Sequence, residues 1–110
     1  MKLLILLILL SSVLCREYRP MAGGRFKPDQ NDEGLGQAIT YAKQHFETSC
    51  DGTSGYEWDT TTDVEQQIVN GSNYYISAQL RNGDKIKKVQ IVVYMPASPP
   101  DIRITSCSVL

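Results

Sequence analysis

His45, Cys50 and Cys107 are the side chains here with the greatest capacity for chemistry, and their spacing limits what they can do. A Cys–His pair becomes a nucleophile when the imidazole takes the thiol proton and a third group holds the ring. His45 is the only histidine and stands five positions before Cys50, with no third group nearby in sequence to orient it. On a helix it falls beside Phe46, one position off the apolar stripe, where a solvated or half-buried structural histidine belongs. One histidine and no close cysteine pair leave no metal spacing. No glycine-rich loop joins a strand to a helix as phosphate binding requires. The acids are scattered singly along strands and turns. These residues do not make an enzyme, and they imply no cofactor and no metal.

Recognition chemistry is better represented. In "VEQQIVNGSNYYISAQL" the segment Gln67-Ile68-Val69-Asn70-Gly71 places Asn-Gly between runs of alternating apolar residues, a strong short-range hairpin signal. Hairpin tips are usually polar, yet Ile68 and Val69 sit against this one. Two other segments carry residues that a bare scaffold does not need: Met21-Ala22-Gly23-Gly24 and Met95-Pro96. Asn70-Gly71-Ser72 is also an N-glycosylation sequon at the hairpin tip.

Composition narrows the setting. The chain of 110 residues has room for one domain, and its formal charge is −1. There is no basic field for nucleic acid and no cationic amphipathic helix for a membrane, so neither partner is expected. Lys2 followed by twelve residues of Leu, Ile, Val and Ser, ending at Cys15, reads as a secretory signal peptide over residues 1–15. Its apolar run is short of the ~20 residues that a membrane-spanning helix needs. Cys15 would also be the modified residue of a lipid-anchored bacterial leader, although Leu14 suits that motif poorly. Residues 16–110 are then an exported domain, extracellular, with Cys50 and Cys107 as an even pair in an oxidising compartment. A disulfide between them would close a loop of more than fifty residues; the alternative is two buried thiols.

These segments need elements to hold them. Residues 16–30, with two Pro and two Gly and no period, read as an extended arm. Leu35, Ile39, Ala42 and Phe46, with Ala38 beside them, form one apolar stripe at helical spacing. Asn31 is the expected N-cap, Asp32 and Glu33 suit the positive helix end, and Gly34 and Gly36 weaken the first turn. From Tyr56 onward the pattern is β. Tyr74, Ile76, Ala78 and Leu80 alternate with polar positions, Asn82-Gly83 gives a second turn, and Val89, Ile91 and Val93 share a face. "MPASPPD" cannot continue a sheet, and "IRITSCSVL" closes it. Cys107 alternates with Arg103 and Thr105, so its facing toward the helix is open. The fold class is α+β, one N-terminal helix on a four- to five-stranded antiparallel sheet. In such a meander the Gln67–Gly71 turn and the "MPASPPD" turn lie at the same end.

The residues resemble a known family at this point. Gln67-Ile68-Val69-Asn70-Gly71 is similar to the Q-x-V-x-G motif of the cystatins, protein inhibitors of papain-like cysteine proteases. "NGSNYYISAQL" resembles the strand after that motif, and "MAGG" resembles the family's N-terminal glycine segment. The resemblance implies a cystatin-like fold and a monomeric, secreted, reversible competitive inhibitor of cathepsin-type proteases. It implies a wedge of three segments: Met21, Ala22 and Gly23 in the subsites beside the catalytic cysteine, the hairpin of Gln67, Ile68, Val69, Asn70 and Gly71, and the loop of Met95 and Pro96. Gly23 would be the pivot, Val69 an apolar contact and Gln67 a support for the turn. Gly71 would bring the hairpin backbone close to an enzyme. Met95-Pro96-Ala97 lacks the tryptophan that secreted members usually carry in this loop. An alternative is therefore a non-inhibitory module on the same scaffold, a venom, defence or signalling protein.

Overall fold

The computed structural model describes residues 24–98 and 101–110. The signal-peptide expectation and Met21, Ala22 and Gly23 lie outside the described residues. In chain order the elements are β1 (Arg25–Phe26), α1 (Glu33–Ser49), β2 (Glu57–Val69), β3 (Gly71–Asn82), β4 (Lys85–Met95) and β5 (Arg103–Val109). The strands form one antiparallel sheet in the order β1-β2-β3-β4-β5, with α1 on one face. The sheet thus has five strands, and the first of them, two residues long, precedes the helix.

The helix starts one residue later than the sequence pattern implies. Asp32, not Asn31, is the N-cap: its Oδ1 accepts from the Gly34 N–H at 3.1 Å, while the Asn31 N–H donates to Asp29 Oδ1 at 3.0 Å. Asp32 is held from the sheet as well, because Tyr74 Oη donates to its Oδ2 at 2.7 Å. Burial, then this bond to Asp32, push the Tyr74 phenol well above its ordinary range. Gly34 has a packing role here, since a Cβ there would lie 2.5 Å from Tyr74 Oη. The residue that costs helix propensity is the one that lets the helix N-terminus close on the sheet.

Ala38, Ala42 and Phe46 of α1 are buried against Tyr74, Ile76, Ala78 and Leu80 of β3 and Val89, Ile91 and Val93 of β4. The two alanines, both 0 % exposed, let the helix approach closely. The branched and aromatic partners supply the apolar area, at ~1.5–3 kcal/mol for each large side chain removed from water. Cys50 caps the helix C-terminus, its N–H donating to Phe46 O at 2.8 Å, and is disulfide-bonded to Cys107 of β5 with 5.3 Å between Cα atoms.

That bond depends on an irregularity. In β5, Ile104 pairs with Val93, Ser106 with Val92 and Cys107 with Ile91, so Thr105 is an extra, bulged residue. Strict alternation would put Ile104 and Cys107 on opposite faces. The bulge turns Cys107 onto the face of Ile91 and Val93, toward the helix. β2 carries two similar irregularities, between Trp58 and Thr60 and between Thr61 and Asp63. Trp58, Thr61 and Val64 therefore pair with Leu80, Ala78 and Ile76, the core-facing residues of β3, at a spacing of three. Trp58 packs 6.0 Å from the Phe46 ring and donates its indole N–H to Thr61 Oγ1 at 3.1 Å, a structural role. At the far end, Asn82 pairs with Lys85, so the two-residue turn is Gly83-Asp84 and Asn82 ends the strand.

Candidate functional site

The β2–β3 turn is a very tight one: Val69 pairs with Gly71 across Asn70 alone. Gly71 takes φ +98, and no non-glycine residue among those described has positive φ, so Asn70 is not left-handed. Type I′ geometry, which needs both central residues left-handed, is thereby excluded. Ile68 and Val69 are 46 % and 45 % exposed, so neither is a core residue. They stand as apolar side chains at the end of the sheet.

The Met95-Pro96 segment adjoins this tip. Ser72 pairs with Met95, and the space that a Cβ on Gly71 would take is bounded by backbone: Met95 O, Pro96 Cα at 2.9 Å and Ala97 N at 3.0 Å. Gly71 is thus required by the chain's own packing, quite apart from any approach to another molecule. Tyr94 Oη donates to Asn70 O, a second tie between the two segments. Met95 and Pro96 are half-buried, and Met95 packs against the core, so this loop is anchored on its inner side.

The residues before the helix are brought to the same end. Arg25 pairs with Gln67 and Phe26 with Gln66, so β1, read backward, runs toward the tip. The Arg25 guanidinium lies 3.7 Å from the Tyr75 ring centroid. Farther along, Lys27 pairs with the Asp63 carboxylate, and its hydrogen bond and charge hold that exposed carboxyl below its ordinary range. Gly24 is exposed; Gly23 and the residues before it are outside the described residues.

Gln67 is a structural hub. Its Oε1 accepts from Tyr75 Oη at 2.7 Å and from Asn73 Nδ2 at 3.4 Å, while neighbouring Gln66 Nε2 donates to Ser72 Oγ at 2.9 Å. Both glutamines bridge β2 to β3 just behind the tip and oppose slippage of its register. Sequence reasoning missed Tyr75, Asn73, Tyr94 and Arg25. Period-two alternation does place Asn73 and Tyr75 on one face of β3, but it does not reveal that Gln67 is their partner. The pairing Arg25, Gln67, Asn73, Tyr94, Arg103 forms one row across all five strands, with the Arg103 guanidinium 5.2 Å from the Tyr94 ring.

His45 is exposed and stacks on Tyr41 at 4.2 Å between ring centroids. Cys50 has no thiol, being oxidised. Among the described residues no group of three His, Cys, Asp or Glu side chains could hold a metal ion, and no helix is long and apolar enough to cross a membrane.

A family model described as the cystatin domain matches residues 23–97. Among solved structures, the crystal structure of a salivary cystatin from the soft tick Ornithodoros moubata superposes with a TM-score of 0.63 at 16 % identity, covering 82 % of this chain and 99 % of that one. No sequence among curated proteins matches. Family model, five-stranded sheet and the helix packed on its face agree: the chain belongs to the cystatin family.

Proposed function

We propose that this protein is a secreted, reversible, competitive inhibitor of papain-like cysteine proteases and has no catalytic activity of its own. The observation that carries the reading is the rigid double tip. Ile68 and Val69 are presented to solvent on a turn that Gly71 and Tyr94 fasten to the Met95-Pro96 loop. A preformed apolar edge of this kind enters a cleft with little ordering entropy.

Each element has a part. Val69 and Ile68 supply apolar contact on either side of the protease's catalytic cysteine. Gln67, bonded to Tyr75 and Asn73, keeps the turn in register rather than reaching the enzyme. Met95 and Pro96 form the second contact. The arm Met21-Ala22-Gly23 would lie beside the hairpin, since β1 directs the chain that way, and Gly23 would supply the bend into the non-primed subsites. No peptide bond of the wedge is offered to the nucleophile, so inhibition is by occlusion. The salivary origin of the tick relative and the Cys50–Cys107 disulfide support an extracellular site of action.

Titration of purified chain from residue 16 onward against papain with a fluorogenic substrate tests the proposal. Stoichiometric loss of activity, recovered on dilution and overcome by substrate, is expected. The non-inhibitory module remains a second reading because the loop Met95-Pro96-Ala97 carries no tryptophan. A folded, disulfide-intact sample that leaves papain fully active would establish it.

A further inference from the structure

We propose that Asn70 is an N-glycan acceptor and that its glycan switches off the edge assigned above to protease contact. The gating half rests on that inhibitory reading; the modification itself does not. Asn70-Gly71-Ser72 is the one sequon in the whole sequence, so any N-glycan on the chain has a single address. The fold puts that address at the extreme end of the sheet. Asn70 is exposed, and it is the single residue between the paired positions Val69 and Gly71. Its backbone carbonyl is engaged by Tyr94 Oη, whereas its side-chain amide makes no hydrogen bond among the described residues. The acceptor nitrogen is thus the group left presented to solvent. Gly71 at the middle position puts no side chain between Asn70 and Ser72.

In the modification, the Asn70 amide nitrogen displaces the lipid pyrophosphate of an activated oligosaccharide at the sugar's anomeric carbon. An N-glycosidic bond forms, the carbon–oxygen bond to phosphate breaks, and the amide proton leaves with the lipid pyrophosphate. No redox partner is needed. The product carries a bulky, hydrated branch at the centre of the tip, between Val69 on one side and the Met95-Pro96 loop on the other. Ile68 and Val69 cannot then enter a narrow cleft. Because Asn70 projects outward and its amide is not part of the core, the glycan leaves the fold and the Cys50–Cys107 bridge intact.

The test is expression of the full reading frame in eukaryotic secretory cells, with mass analysis of the peptide containing Asn70 before and after peptide-N-glycosidase treatment. Occupancy is expected as a hexosamine-bearing mass that the enzyme reduces to the bare peptide with aspartate in place of the asparagine. An unmodified peptide in the secreted protein overturns the site. The glycosylated protein and residues 16–110 made in bacteria with the disulfide intact, which carry no glycan, are then compared by titration against papain. The glycosylated form is expected to bind at least ~100-fold more weakly, with enzymatic removal of the glycan restoring inhibition to the level of an Asn70→Asp control. Equal inhibition by the glycosylated and glycan-free parent chains overturns the switch. If the glycan-free parent chain is folded and also fails to inhibit, it is the inhibitor reading that falls, while the occupancy result still decides the site.

Discussion

Substitution of Gly71 by alanine asks whether the two tips are fastened by close backbone approach. The residue has φ +98, a conformation in which an L-side chain is strained by ~1–2 kcal/mol. Its new Cβ would meet Met95 O, Pro96 Cα at 2.9 Å and Ala97 N at 3.0 Å, all backbone, so the loop has to move rather than a side chain rotate. Displacing it loses the Tyr94–Asn70 hydrogen bond, worth ~0.5–1.5 kcal/mol net. The total is ~2–3 kcal/mol, which for a domain of this size lowers Tm by on the order of 10–20 °C. Urea denaturation followed by Trp58 fluorescence should show a lower midpoint with an unchanged slope. Gly83→Ala is the control: φ is +59 there but a Cβ meets nothing within 4 Å, so only the dihedral strain remains. Equal losses in the two variants, or a Gly71→Ala midpoint matching the parent, would refute the fastening. Papain affinity of Gly71→Ala should fall as well, since the tip and the Met95-Pro96 loop can no longer hold one relative position.

Other outcomes follow from the same geometry. Replacing Cys50 and Cys107 together by alanine removes a cross-link spanning 57 residues and should cost up to ~4 kcal/mol by loop-closure entropy, read as a urea midpoint shift that reductant reproduces in the parent. Non-reducing mass analysis should show the parent lighter by two hydrogens than its reduced form. Tyr74→Phe breaks the bond to Asp32 and should cost ~1.5–3 kcal/mol at neutral pH, measured by denaturation. The folded Tyr74 phenol titrates above its unfolded value of 10.0, so its contribution is full below that pH and is lost as pH rises through the folded value. The urea midpoint should therefore fall more steeply above pH 10 in the parent than in Tyr74→Phe. Gly23→Glu and Val69→Asp should each weaken papain binding at least ~10-fold with Tm unchanged within ~2 °C, because Val69 is exposed and makes no core contact. Unaltered affinity would remove the substituted segment from the wedge.

Much of the molecule was legible because period and punctuation are local. Alternation along Tyr74–Leu80 and Val89–Val93 names the core face of β3 and β4, and the stripe from Ala38 to Phe46 names the helix face that covers it. Asn-Gly marks the tip, and meander topology alone brings the Gln67–Gly71 turn to the end where Met95-Pro96 lies, as the structure has it. The cap was missed by one residue. Asn31 and Asp32 are both good caps, and the tie-breaker is Tyr74, distant in sequence, which reaches Asp32 across the helix–sheet interface.

Residue types and their order determined which strands exist, which faces are apolar, that Cys50 and Cys107 form a natural pair, and that the hairpin tip carries apolar residues and a sequon. Only the tertiary structure decided how cross-strand register modifies those patterns. A bulge at Thr105 turns Cys107 toward Cys50, and two irregularities in β2 convert a spacing of two into a spacing of three for Trp58, Thr61 and Val64. Tertiary contact also assigned Gln67 to Tyr75 and Asn73, and made Gly71 a requirement of the Met95-Pro96 loop. A bulge depends on which extra residue the neighbouring strand leaves unpaired, and a glycine's packing role depends on what backbone passes beside it. Both are properties of two segments at once, and neither is written in one segment alone.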